Sequence, residues 1–164
     1  MSRNTTTIAT GITACPIPKG TSVQEPPDVE SLTYTFTLAA SPTSSRIARE
    51  TAKTVLKAHG LRDMQDAVVQ VVGEMAACAW RFTPTPEICV CLRYREGALR
   101  VIVYDGHPRH THARIAASCD SQRTAALRVL AAVVKACNGD WGFGDAREPG
   151  GRRPTLRERA RPAE

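Results

Sequence analysis

The sequence predicts an α/β (α+β) two-layer sandwich, in which about three helices cover one face of a mixed, mostly antiparallel sheet. One observation is that the hydrophobic period changes repeatedly between that of a strand and that of a helix. Another is that predicted helices occur in runs between predicted strands. A third is size, since 164 residues with 42% hydrophobic content suffice for one core. We expect that core at residues 31–145, between a disordered leader at 1–30 and a basic, loosely ordered tail at 146–164.

The first half of the chain predicts one strand followed by two helices. Apolar residues alternate with polar ones over residues 32–38, which is typical of a half-buried strand. An apolar stripe of helical spacing covers residues 47–56, and Gly60 can end that helix. Asp63 can cap a second helix, whose apolar inner face extends to Ala79.

A hairpin follows the second helix. Residues 87–94 and 98–104 have strand patterns, and Gly97 between them can take the positive φ of a short turn. We expect the thiols of Cys89 and Cys91 on opposite faces of their strand, an arrangement that disfavours both a redox pair and a chelate.

The last part of the core has weaker signals. Residues 105–123 are polar and contain histidines, which predicts a long loop. Helical spacing resumes over residues 124–137, and residues 141–143 predict a weak strand. The tail combines arginine with glycine and proline, so we expect at most one short strand in it.

Composition and charge exclude several function classes. The net charge is +6, but aromatic residues are only 5% and no basic stripe with interleaved aromatics is present, so nucleic acid is not the expected partner. No secretory signal and no run of about 20 apolar residues is found, so we expect a cytoplasmic protein without a membrane contact. The six cysteines are dispersed, which favours buried thiols over a disulfide framework.

Two acidic positions attract functional interpretation. Glu74 interrupts the apolar stripe of the second helix, where a carboxylate can act as a general base or ligand anchor, or can pair with an arginine at the helix margin. Asp105 and Gly106 directly follow a strand, so the carboxylate can point at a ligand that the backbone approaches closely, or the pair can form an ordinary turn.

These positions occur within two longer motifs of a known family. The segment Val68-Val69-Gln70-Val71-Val72-Gly73-Glu74-Met75 is similar to the helix that carries the acidic residue of an N box. The segment Tyr104-Asp105-Gly106-His107-Pro108-Arg109 is similar to a first glycine box. By these motifs and the order of elements, residues 32–144 resemble the bacterial anti-sigma-factor serine kinases of the GHKL, or histidine-kinase-like, ATPase superfamily.

The resemblance implies ATP and Mg²⁺ as cofactors and gives roles to three residues. Glu74 takes the place of the general base that polarises the attacking hydroxyl. Asp105 takes the place of the acid that hydrogen-bonds the adenine amino group, and Gly106 lets the backbone approach the base.

Two departures from the family pattern weaken the implied ATP site. Cys78 stands where the family carries a magnesium-ligating asparagine, and a thiol is a poor ligand for Mg²⁺. No glycine occurs between Gly106 and Gly139, so the backbone cradle for the phosphates is missing, although Arg123 or Arg128 can offer charge to a phosphate. We therefore expect ATP binding to be weakened or lost.

A metal site is a further hypothesis. His107, His110, His112 and Cys119 include two ligand types of zinc, but no second closely spaced pair accompanies His110 and His112. The favoured interpretation is that these residues are a solvated remnant of the lid that, by the resemblance, would close over ATP, with no metal.

The favoured function is regulation of the anti-sigma-factor type by protein binding, with a sigma factor or an anti-sigma antagonist as partner and a homodimer as the assembly that the resemblance implies. The alternative is an active ATP-dependent serine/threonine kinase that phosphorylates the antagonist. A basic nucleic-acid-associated module is a second alternative, favoured only by the sequence pI near 9.3 and the arginine-rich tail.

Overall fold

The structure is a computed structural model and describes residues 27–108, 110–148 and 151–160. A 3₁₀ turn at Val29–Ser31 comes first. The strands are β1 (Thr33–Ala39), β2 (Glu87–Arg95), β3 (Ala98–Tyr104), β4 (Asp140–Glu148) and β5 (Gly151–Ala160). The α-helices are α1 (Ser44–Ala58), α2 (Gln65–Phe82), α3 (Ala113–Ala126) and α4 (Arg128–Ala136).

The five strands form one sheet in the order β1-β2-β3-β5-β4, and every described pair is antiparallel. In β2 and β3, buried residues alternate with partly exposed ones, so a single face of these strands lies under the helices. The predicted two-layer α+β sandwich is confirmed. The described residues form four α-helices rather than about three, because α3 is additional.

The two thiols of β2 share a face, which corrects the prediction for them. Cys89 and Cys91 are partly exposed, whereas Val90 between them is fully buried. Side chains two residues apart on a strand point to the same side, so the expectation of opposite faces was wrong.

The core lies between α2 and the covered face of the sheet. Helix α2 contributes an apolar stripe that includes Val68, Val72 and Met75, none of which is more than 1% exposed. Burying each such side chain stabilises the fold by about 1.5–3 kcal/mol. Helix α1 adds small residues of its own, Ala48 and Ala52, so that it packs closely against α2.

Local turn chemistry explains two of the boundaries. Gly60 has a φ of +72° and follows α1 in a Schellman motif, where the amide of Leu61 donates to Leu56 and that of Gly60 donates to Lys57. The β2–β3 turn has positive φ at both Glu96 and Gly97, as a tight hairpin turn requires. Asp63 does not cap α2, because the helix begins at Gln65 and Met64 precedes it without a side-chain cap.

The segment predicted as a loop at residues 105–123 contains most of α3, and the predicted helix at 124–137 is divided at Leu127 between the end of α3 and α4. The apolar period fails to show α3 because the helix has no apolar face, and Arg123 is its one buried residue. Five alanines favour the helical backbone here even without an apolar stripe.

The predicted tail at residues 146–164 contains β5, a ten-residue strand between β3 and β4. Its arginines and Pro154 give little intrinsic strand preference, so its place in the sheet depends on pairing partners on both sides. Most of the predicted leader, residues 1–26, lies outside the described residues. Among the described residues, no helix is both long and apolar enough to cross a membrane.

Candidate functional site

The candidate site lies where β3 ends and the chain continues toward α3. Asp105 follows β3 directly, and Gly106 and His107 continue beside the end of α2. Helix α3 then returns along this segment. Of the residues considered for the ATP site, four are in or near this region: Cys78, Asp105, Gly106 and Arg123. Glu74 lies one helical turn before Cys78 on α2, and Arg128 is exposed at the start of α4.

Asp105 and Arg123 form a buried ion pair. The Nη2 of Arg123 lies 2.6 Å from Oδ2 of Asp105, and the two residues are 4% and 2% exposed. Burial raises the pKa of the Asp105 carboxyl, while the Arg123 guanidinium and the backbone amide of His107 oppose that rise. The carboxylate expected to receive adenine is therefore bound to a cation of this same chain.

Cys78 and Phe143 complete the surroundings of the guanidinium. The Arg123 guanidinium lies near the sulfur of Cys78, and its carbon lies 4.7 Å from the centre of the Phe143 ring. Burial raises the pKa of the Cys78 thiol, the nearby Arg123 opposes part of that rise, and the net pKa is about 11. Cys78 therefore stays a neutral thiol at physiological pH. We call Asp105, Arg123, Cys78 and Phe143 the ion-pair centre.

Gly106 is required by this chain's own packing. A Cβ at this position would lie 2.1 Å from Cγ2 of Thr85, so a side chain does not fit without movement. The Gly106 amide donates to Oγ1 of Thr83 at 2.9 Å. The close approach that the resemblance reserves for adenine is made here by Thr85.

Glu74 is not part of this arrangement. Its carboxylate is half-buried and accepts a hydrogen bond from Nε2 of Gln70 at 2.9 Å, one turn earlier in α2. In the described part of the chain, it forms no hydrogen bond or ion pair with Asp105 or with any arginine.

A second group of polar side chains, which the sequence predicts to be solvated, comes together beside the candidate site. Ligand atoms of His107, His110 and Cys119 all lie within 4.8 Å of one another. We call these three residues the histidine–cysteine cluster. His112, the fourth sequence candidate, is exposed at the start of α3 and lies outside the cluster. The sequence spacing could not select these three, because α3 was predicted as a loop.

A cavity of about 310 Å³ opens near Asp105, beside the start of β2 and the end of β3. Its lining includes Thr37, Cys89 and Tyr104, which are cross-strand neighbours on the uncovered face. Phe143 and this cavity were missed from the sequence. Neither has a local signal, because each depends on strands that are distant along the chain.

Comparison with protein-family models gives no match for this chain, and comparison with curated proteins gives none either. The function has to be argued from the geometry of the site, since a fold alone does not determine one.

Proposed function

We propose that this protein is a regulator of the anti-sigma-factor type, which acts by binding a sigma factor or an anti-sigma antagonist and in which ATP binding is weakened or lost. The proposal combines the sequence resemblance of residues 32–144 with the chemistry of the ion-pair centre. In this role the protein acts in the cytoplasm, as a homodimer, and without sustained kinase activity.

The buried pair of Asp105 and Arg123 is the observation that carries the proposal. Oδ2 of Asp105 is bound to Arg123, its Oδ1 accepts from the amide of His107, and the residue is 2% exposed, so an adenine amino group reaches the carboxylate only if these contacts rearrange. Breaking a buried ion pair by removing one partner typically costs about 3–5 kcal/mol. A hydrogen bond to a charged group returns about 1.5–3 kcal/mol, so the exchange is unfavourable unless Arg123 finds another anion.

Binding of Mg²⁺, which the resemblance also implies, is disfavoured as well. With its pKa raised to about 11, Cys78 offers a neutral thiol that is already in contact with Arg123. Mg²⁺ prefers oxygen ligands in octahedral geometry, and a buried thiol supplies neither the atom nor the charge. A triphosphate bound here would therefore lack the metal bridge that the resembled family uses. This supports a function in protein binding rather than in phosphate transfer.

The first half of the test is calorimetric titration of the full chain with ATP and Mg²⁺. We expect no binding heat and no thermal stabilisation at millimolar nucleotide. Asp105→Ala and Glu74→Ala serve as site variants, and Asp63→Ala is the matched control because Asp63 is exposed in the turn before α2. Micromolar binding that Asp105→Ala abolishes and Asp63→Ala preserves would overturn the proposal in favour of an active kinase.

The second half is direct binding to purified sigma factors and anti-sigma antagonists from the source genome. We expect one of them to form a complex whose affinity is unchanged by ATP. Absence of binding to every such protein would contradict the regulatory role, whatever the nucleotide result.

A further inference from the structure

We propose that His107, His110 and Cys119 bind a divalent transition-metal ion, with zinc the best match to their chemistry, and that this ion fastens α3 to the segment that follows β3. This inference does not depend on the proposed regulatory function. It reverses the sequence interpretation of these residues as a solvated remnant.

The ligand atoms are already close to the spacing that a tetrahedral ion needs. The Sγ of Cys119 lies 3.0 Å from Nε2 of His107, and all three ligand atoms lie within 4.8 Å of one another. Zinc bonds of about 2.0–2.1 Å to nitrogen and 2.3 Å to sulfur place tetrahedral ligand atoms roughly 3.4–3.6 Å apart. Side-chain adjustments of less than about 1.5 Å per pair thus give a metal geometry.

His107 is held in the tautomer that a metal requires. Its Nδ1 lies 2.8 Å from the carbonyl oxygen of Phe82, which can only accept a hydrogen bond, so Nδ1 carries the proton. The lone pair of Nε2 is then directed at Cys119. Metal-binding histidines usually donate their second ring nitrogen to a carbonyl or carboxylate in this way.

His110 supplies an independent indication of a ligand. Its Nε2 is buried and has no hydrogen-bond partner, and its ring packs edge-on against His107 with centroids 5.1 Å apart. A polar atom that is buried away from water without a partner destabilises the fold, and a metal bond at that nitrogen would remove this cost. A second histidine that merely stacked on His107 would not need to bury this atom.

The metal would also explain how α3 is held in place. The helix buries one residue, Arg123, and has no apolar face for the core. Its described attachments to the segment after β3 are polar: the ion pair of Arg123 with Asp105, and the contact of Cys119 with His107. A metal at the second attachment would fix the helix where hydrophobic packing does not.

The ligand set selects the kind of ion. Two imidazoles and a thiolate favour zinc and related borderline or soft ions, and disfavour Mg²⁺ and Ca²⁺. On binding, the Cys119 thiol releases its proton to solvent and becomes the thiolate ligand. Three protein ligands leave the fourth tetrahedral position for a water molecule or for a side chain of a bound protein.

The test uses the full chain after removal of metal by a chelator, titrated with Co²⁺ and then with Zn²⁺. We expect one Co²⁺ per chain, a thiolate charge-transfer band in the near ultraviolet, and intense tetrahedral bands in the visible. Zn²⁺ is expected to displace Co²⁺, to release protons and to raise Tm. Absence of the charge-transfer band at saturating Co²⁺ would overturn the proposal and leave Cys119 and His107 as a metal-free hydrogen-bonded pair.

Matched variants identify the ligands. Cys119→Ser and His110→Ala are expected to weaken metal binding by at least about 100-fold, since loss of outer partners alone typically costs 10–100-fold. Cys137→Ser and His112→Ala are the controls, because neither residue belongs to the cluster, and both should bind as the unmodified chain does. Equal losses in the variants and their controls would contradict the assignment.

A measurement on the unmodified chain covers the case in which a variant fails to fold. Alkylation of each cysteine is followed by mass spectrometry with and without Zn²⁺. We expect zinc to slow alkylation of Cys119 at least about tenfold and to leave Cys137 unchanged, because a metal-bound thiolate is shielded from the reagent. Equal alkylation of Cys119 in both conditions would contradict a metal bond to its sulfur.

Discussion

The ion-pair centre and the histidine–cysteine cluster are two neighbouring contacts between the same helix and the same segment. Cys119 and Arg123 lie one turn apart on α3, and their partners His107 and Asp105 lie two residues apart after β3. In the ion-pair centre, two opposite charges meet each other, although Nε of Arg123 is buried without a hydrogen-bond partner. In the cluster, the buried Nε2 of His110 has no hydrogen-bond partner, and it forms no ion pair with a described residue. The difference teaches that the charges of one contact compensate each other, whereas the other contact keeps a ring nitrogen that can bind a metal.

Disrupting the ion-pair centre is expected to have the largest effect. Asp105→Asn leaves the Arg123 guanidinium buried without an anion, so we expect a loss of about 3–5 kcal/mol in the free energy of unfolding, measured with urea. Asp120→Asn, at an exposed position of α3, is the control and should change stability by less than about 0.5 kcal/mol. Combining Asp105→Asn with Arg123→Met should recover much of the loss, because no unpaired charge remains. A double variant as unstable as the single one would show that the pair is not the source of the effect.

The Cys78 thiol of the ion-pair centre provides a test of the comparison through the pH dependence of stability. Because burial raises the pKa of Cys78 to about 11 from an ordinary 9.0, the folded state keeps a proton that the unfolded state gives up. The resulting stabilisation is complete below pH 9 and is lost as pH rises toward 11, by up to about 2–3 kcal/mol. Cys78→Ala should remove this part of the pH dependence, measured as the difference in unfolding free energy between the two proteins. An identical pH dependence in both proteins would contradict the raised pKa.

At pH 8 in the absence of metal, the partly exposed Cys119 should be alkylated faster than the buried Cys78, since the reagent reacts with an accessible thiolate. The reverse order would show that Arg123 activates Cys78, and the ion-pair centre would then have to be considered as a reactive site.

Gly106 connects the two contacts, because it lies between Asp105 and His107. Gly106→Ala places a methyl group against Thr85, and we expect a destabilisation of about 1–3 kcal/mol in urea unfolding. Thr85→Ala in the same chain removes the two nearest side-chain atoms and should restore part of that loss. An effect of Gly106→Ala that is unchanged by Thr85→Ala would mean that the backbone conformation, and not the Thr85 contact, requires glycine.

The smallest expected effect is at Phe143. Phe143→Leu removes the ring over the Arg123 guanidinium and should lower the unfolding free energy by about 1 kcal/mol, while Phe143→Tyr keeps a ring and should lower it less. Thermal unfolding at matched pH measures both. Equal effects of the two substitutions would indicate that packing, and not the cation–π contact, sets the role of Phe143.

Much of the first two thirds of the fold follows from local pattern. The hairpin was predicted within one residue of its observed bounds, because β2 and β3 alternate cleanly and Gly97 marks their turn. The two-helix run before it was also predicted, since α1 and α2 carry apolar stripes. Asp105 was singled out from its place after a strand, and Cys78 and Arg123 were singled out from a family likeness. Their contact with one another was not predicted.

By itself, then, the sequence determined the helices and strands in which buried residues recur at a regular spacing, such as α1, α2, β2 and β3. It also drew attention to Cys78, Asp105 and Arg123 as candidate site residues. Tertiary structure alone decided the existence of α3, the insertion of β5 between β3 and β4, and the partners of Asp105, His107 and Cys119. The physical reason is that α3 is held by directed polar contacts and β5 by strands on both sides. Such contacts produce no regular hydrophobic spacing in the sequence, because they form between segments that are distant along the chain.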